Sequence, residues 1–76
     1  MIKLTRGQLE AFVKLATSEE SVDSVEFLPN LKPVQELVEY GLATEFDGFY
    51  KLRKKGRIKY SQMLERIAIL DEAKSN

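Results

Sequence analysis

The sequence predicts a small α+β domain with about three helices, a two-stranded β-hairpin and a longer C-terminal helix. Three observations carry this expectation. Asp47-Gly48 separates two Pro-free runs, Leu42–Phe46 and Phe49–Arg53, that hold Thr, Phe and Tyr. A type I′ turn needs φ > 0 at both central residues, which Gly tolerates and Asp accepts better than most. Apolar residues recur at helical spacing on both sides of this unit, as Leu9, Phe12, Val13 and Ala16 before it and Tyr60, Met63, Leu64, Ile67 and Leu70 after it. At 76 residues the chain makes one domain, 1–76, with a thin core.

The first helix is expected from about Arg6 to Ala16. Thr5 can cap it, Gln8 can reach back to the Thr5 amide, and Leu4 and Leu9 hold the staple positions. From Thr17 to Asn30 two readings stand. Ser18 or Ser21 could cap a short second helix with Val22, Val25 and Leu28 turned inward, or a short strand could run through Val25–Leu28. Lys32-Pro33 opens the next helix, because Pro is tolerated in the first turn. Val34, Leu37 and Val38 form its buried side, Lys32, Gln35, Glu36 and Glu39 face outward, and Gly41 stops it as an αL cap. A two-residue hairpin loop then sets Phe46 opposite Phe49, Glu45 opposite Tyr50 and Ala43 opposite Leu52. Ala43, Tyr50 and Leu52 share the core face. From Arg57 to about Lys74 the pattern is helical again.

Two phrases in this order resemble winged-helix domains of the bacterial and phage transcriptional-regulator type. Leu37-Val38-Glu39-Tyr40-Gly41-Leu42 resembles the Leu-x-x-x-Gly-Leu phrase that leads into a wing. Tyr50-Lys51-Leu52-Arg53-Lys54-Lys55-Gly56-Arg57 resembles Tyr-x-Leu-Thr-x-x-Gly-Arg, which opens the last helix, with Arg53 in place of the Thr. Leu4-Thr5-x-x-Gln8-Leu9 also recurs in the first helix of such regulators. The resemblance implies a wing formed by the hairpin, a helix before it that enters the DNA major groove, and double-stranded DNA as partner. At that reading helix, Lys32 and Gln35 are the donors this sequence offers, with Asn30 just ahead of it.

Charge narrows the function classes. The net charge is zero, but the distribution is uneven: residues 1–50 carry nine acids and four bases, and residues 51–60 carry six bases and no acid. Those six, Lys51, Arg53, Lys54, Lys55, Arg57 and Lys59, are the candidate phosphate contacts, and a solvated basic face is their plainer alternative. The chain has no Cys and no His, so thiolate and imidazole metal sites are excluded, and no cofactor is expected. Ser18, Ser21, Ser24, Ser61 and Ser75 have no imidazole base, the four glycines form no phosphate loop, and catalysis is not expected. No apolar run approaches the roughly 20 residues of a membrane span, and MIKLTRGQLE lacks a signal-peptide core, so the expected location is the cytoplasm.

Two further surfaces are candidates. Tyr60, Met63, Leu64, Ile67 and Leu70 make a broader apolar stripe than one seam needs, which suggests a homodimer through the C-terminal helix. Phe46 and Phe49 fall on the face opposite the core side of the hairpin, where an exposed aromatic pair could grip a protein partner or stack on nucleic acid. The alternative to DNA binding is therefore a winged-helix protein-interaction module.

Overall fold

The computed structural model describes residues 3–75, with side chains for residues 3–66. Helix α1 spans Arg6–Ala16 and begins on a capping box. The Gln8 amide donates to Thr5 Oγ1 at 3.3 Å, and the Thr5 amide donates to Gln8 Oε1 at 3.0 Å. The helix buries Gln8, Ala11, Phe12 and Leu15, while Leu9 lies 38% exposed. The buried face is therefore rotated by one position from the expected Leu9-Phe12-Val13-Ala16 stripe. Gln8 explains the rotation. Its Nε2 donates to Glu36 Oε1 at 3.2 Å and to the Tyr40 hydroxyl at 3.3 Å, which turns this polar residue inward toward the neighbouring helix.

Neither expectation for Thr17–Asn30 matches the structure. Strand β1 is Val22–Asp23, and a 3₁₀ turn covers Ser24–Phe27. Val22 is buried, but Val25 is 61% and Leu28 57% exposed, so no inward-facing helix forms. Asp23 accepts from the Val25 amide at 3.0 Å, a local bond that favours a turn over a helix. The Ser24 amide donates to the Gly48 carbonyl at 2.8 Å. Phe27 packs its ring edge against Tyr50, with centroids 5.7 Å apart.

Helix α2, Lys32–Glu39, carries Pro33 in its first turn and buries Val34 and Leu37. Its end is a Schellman motif. The Leu42 amide reaches the Leu37 carbonyl, the Gly41 amide reaches that of Val38, and Gly41 sits at φ +78. A side chain there would be strained, and the reversal swings Leu42 back onto Leu37 in the core.

Strands β2 (Ala43–Phe46) and β3 (Phe49–Leu52) pair antiparallel across Asp47-Gly48, whose φ values of 51 and 82 are those of a type I′ turn. The register sets Ala43 opposite Leu52, Glu45 opposite Tyr50 and Phe46 opposite Phe49. Strand β1 pairs with the other edge of β3, through Val22–Tyr50 and Asp23–Phe49, giving a three-stranded sheet in the order β1-β3-β2. The fold is thus α+β, with three α-helices among the described residues and one strand more than expected.

Helix α3 runs from Lys54 to Ser75. Tyr60 meets Phe12 edge-on at 5.9 Å, and Phe12, Val34, Leu37 and Leu42 are the largest fully buried side chains. Among the described residues, no helix is long and apolar enough to cross a membrane.

The entry of α3 is pressed onto the end of β2. The Arg53 amide donates to the Leu42 carbonyl at 2.9 Å. A Cβ built on Gly56 would collide with that same carbonyl oxygen and come within 3.0 Å of Leu52 Cδ2. Helix propensity alone would favour Gly56→Ala by about 1 kcal/mol. The collision reverses the sign, and the variant should lose about 2 kcal/mol of stability in urea unfolding.

Candidate nucleic-acid interface

Five exposed cations, Lys51, Arg53, Lys54, Lys55 and Arg57, lie where β3 passes into α3, and Lys59 follows one turn later. Lys51 lies on the outer face of the sheet, since Phe49 and Lys51 are exposed while Tyr50 and Leu52 are buried. The Arg53 carbonyl accepts from the Arg57 amide at 3.0 Å, which makes Arg53 the N-cap of α3. Lys54, Lys55 and Arg57 are exposed in the first turn, around the buried Gly56, and that turn holds no acid. Lys51, Arg53, Lys54, Lys55 and Arg57 make no side-chain hydrogen bond or ion pair with any described residue. Arg6 and Glu10, on α1, do form an ion pair, at 3.4 Å. The first amides of a helix lack internal partners and carry the positive end of its dipole, so side chains and backbone present the same sign of charge here.

The cationic surface reaches further than the run of residues 51–59. Lys55, Lys59, Gln62 and Arg66 recur at i, i+4, i+7 and i+11, so they share one face of α3. Lys59, Gln62, Met63 and Arg66 line a shallow depression of about 160 Å³ on that face. Arg57 sits about 200° around the helix from Lys55 and points elsewhere. Arg66 was not legible as part of the patch because a contiguous charge count stops at Lys59; helical spacing is the signal that would have found it.

The proposed base readers are not part of this cluster. Lys32 and Gln35 are exposed on α2, but Lys32 stands at the N-terminal end, and the junction with Arg53 lies beyond the C-terminal end. The eight residues of α2 put about 12 Å of helix between Lys32 and that end, with Gln35 halfway along it. Glu36, expected to face outward, is half-buried and accepts from Gln8 instead. The Asn30 carboxamide oxygen is engaged too, accepting from the Lys32 amide at 3.1 Å.

Phe46 is 83% exposed and Phe49 43%, directly opposite each other beside the turn, while Tyr50 is in the core. Of the apolar stripe on α3, Tyr60 and Met63 are half-buried against the core of their own chain, and Leu64 is exposed. The remaining two residues of that stripe, Ile67 and Leu70, lie outside the described side chains.

A second depression, of about 320 Å³, lies between α1, the 3₁₀ turn and the start of α2. Its charged lining is partly committed: Glu10 pairs with Arg6, and Lys14 donates to the Glu26 carbonyl at 3.0 Å and lies 5.8 Å from the centre of the Phe27 ring. Among the described residues, no group of three or more His, Cys, Asp or Glu is disposed to hold a metal ion.

No family model, curated protein or solved structure matches this chain.

Arg53 offers a direct check on whether this surface is arranged at a cost to the fold. An N-cap residue with a short oxygen-bearing side chain stabilises a helix by about 1 kcal/mol, which an arginine does not supply. Arg53→Thr should raise the urea midpoint by an amount equivalent to about 1 kcal/mol while removing one cation from the patch.

Proposed function

We propose that the chain is a small winged-helix protein that binds the backbone of double-stranded DNA through the junction of β3 and α3. The observation that carries this reading is the group of five exposed cations, Lys51, Arg53, Lys54, Lys55 and Arg57, which have no side-chain partner among the described residues and lie around the first turn of one helix. A phosphate backbone would release counterions on meeting them, and the positive end of the α3 dipole adds charge of the same sign. The order of α2, hairpin and α3 supports the winged-helix reading, with the hairpin as the wing. A 3₁₀ turn stands where a further helix was expected before α2.

The reading is of backbone binding first. Base recognition, and with it a role as a transcriptional regulator, would fall to Lys32 and Gln35 on α2. The exposed Glu39 shares their surface and repels phosphate, which favours weak sequence preference. The rival, a protein-interaction module that does not touch DNA, is favoured by one feature, the aromatic pair at the turn.

Fluorescence anisotropy of a labelled random duplex, titrated at low and near-physiological salt, tests the proposal. Five to six phosphate contacts should give a log–log salt slope of about −5. Lys54→Glu with Lys55→Glu should weaken binding by at least about tenfold and flatten the slope by about 2. Absence of binding at low salt would sink the DNA reading. A protein contact made by Phe46 and Phe49 would survive the double reversal.

A further inference from the structure

The depression on α3 has a chemistry that the junction with β3 does not account for. Lys59 and Arg66 stand at its ends, Gln62 lies between them and Met63 lines one side, around a volume of about 160 Å³. Spacings of three and four residues put Lys59, Gln62 and Arg66 in a row on one helix face. Gln62 and Arg66 are exposed, and neither side chain bonds to a described residue; Lys59 is half-buried. Met63 packs its inner side against the core and gives the hollow an apolar wall. Among the described side chains of α3 the one acid is Glu65, turned about 100° from Arg66. The hollow thus joins positive charge, a neutral donor and an apolar wall.

We infer that this hollow seats a sugar–phosphate unit of the same DNA backbone that meets the β3–α3 junction, an assignment that rests on the DNA-binding reading above. Arg66 pairs with the phosphate, Gln62 donates to a phosphate oxygen, and Met63 lies against the sugar. The combination selects the occupant. A carboxylate from a protein partner would satisfy Arg66 alone, whereas a sugar–phosphate uses the cation, the amide and the apolar wall together.

Continuity with the junction supports the same occupant. Lys55 belongs both to the exposed cations of the first turn and to the row that continues through Lys59, Gln62 and Arg66. Gln62 stands seven residues beyond Lys55, about 10 Å along the helix. Each strand of a duplex carries a phosphate per about 3.4 Å of axis, and the duplex stays stiff over a far greater length. A backbone held at the junction therefore offers phosphates within reach of Arg66 without any further ordering. On α2, Lys32 and Gln35 share their face with Glu39, so no comparable row exists there. The helix laid against DNA is α3 in place of α2.

Anisotropy titrations of the labelled random duplex at several salt concentrations test the seat. Arg66→Ala should weaken binding about fivefold at near-physiological salt and flatten the log–log slope by about 1. Gln62→Ala should weaken binding about threefold with the slope unchanged, because a neutral donor displaces no counterion. Arg66→Ala combined with Ser61→Arg restores the net charge on a face turned about 140° away, and should bind as weakly as Arg66→Ala alone. Circular dichroism should show the wild-type fold in all three, since Ser61, Gln62 and Arg66 are exposed. If the wild-type chain binds and Arg66→Ala binds equally well, the seat is overturned and the junction reading stands. Recovery of affinity in the Ser61→Arg double variant would overturn the seat too, by showing that net charge acts without a local contact. A wild-type chain that fails to bind at low salt removes the seat and the reading together.

Discussion

The close contact between Leu42 and the Arg53–Gly56 segment organises the rest of the molecule. The Schellman reversal at Gly41 delivers Leu42 to the core, and the Leu42 carbonyl then ties the base of the hairpin by accepting the Arg53 amide. Gly56 lets the first turn of α3 lie against that carbonyl without a side chain between them. One peptide group thereby anchors the end of α2, the base of the sheet and the start of the last helix. Lys54, Lys55 and Arg57 are held outward because the remaining residue of their turn is pressed inward. The cationic surface is a by-product of that contact as much as of the residues themselves.

The parts of the fold that could be read from the sequence are those governed by local chemistry. The capping box at Thr5 and Gln8, the proline start and glycine stop of α2, and the Asp47-Gly48 turn each depend on neighbours within about five residues. The parts that escaped depend on distant ones. Strand β1 has two residues, too few for any alternation, and exists because β3 offers an unpaired edge far along the chain, pairing Val22 with Tyr50 and Asp23 with Phe49. The rotation of α1 arises from a buried glutamine that apolar periodicity counts as outward. Glu36 was misplaced for the same reason, since its partner is 28 residues away.

The site divides along similar lines. A contiguous run of bases is visible in any charge count, and the structure gathers Lys51, Arg53, Lys54, Lys55 and Arg57 at one junction. Arg66 joins the cationic surface only through helical geometry. Lys32 and Gln35 were grouped with the run by resemblance to a reading helix, yet they occupy a different element and α2 carries them away from the junction. Tyr60 and Met63, read as surplus apolar surface, are largely taken up by the core of their own chain, because a thin domain needs every large side chain it can recruit. Arg53 has a double character: the position that starts α3 would favour a capping oxygen, and a cation occupies it.

The separation of charge also sets how the molecule moves before it touches anything. A chain of zero net charge feels no net pull in a uniform field. With nine acids in residues 1–50 and six bases in residues 51–60, it does carry a dipole and so feels a torque. Near a polyanion the field is not uniform, and the molecule turns until its β3–α3 end faces the charge and is then drawn in. Attraction of this kind falls off faster with distance than that between net charges. Within about one Debye length, roughly 8–10 Å at ordinary salt, it selects orientation before contact. Neutrality here gives up long-range capture and keeps the geometry of arrival.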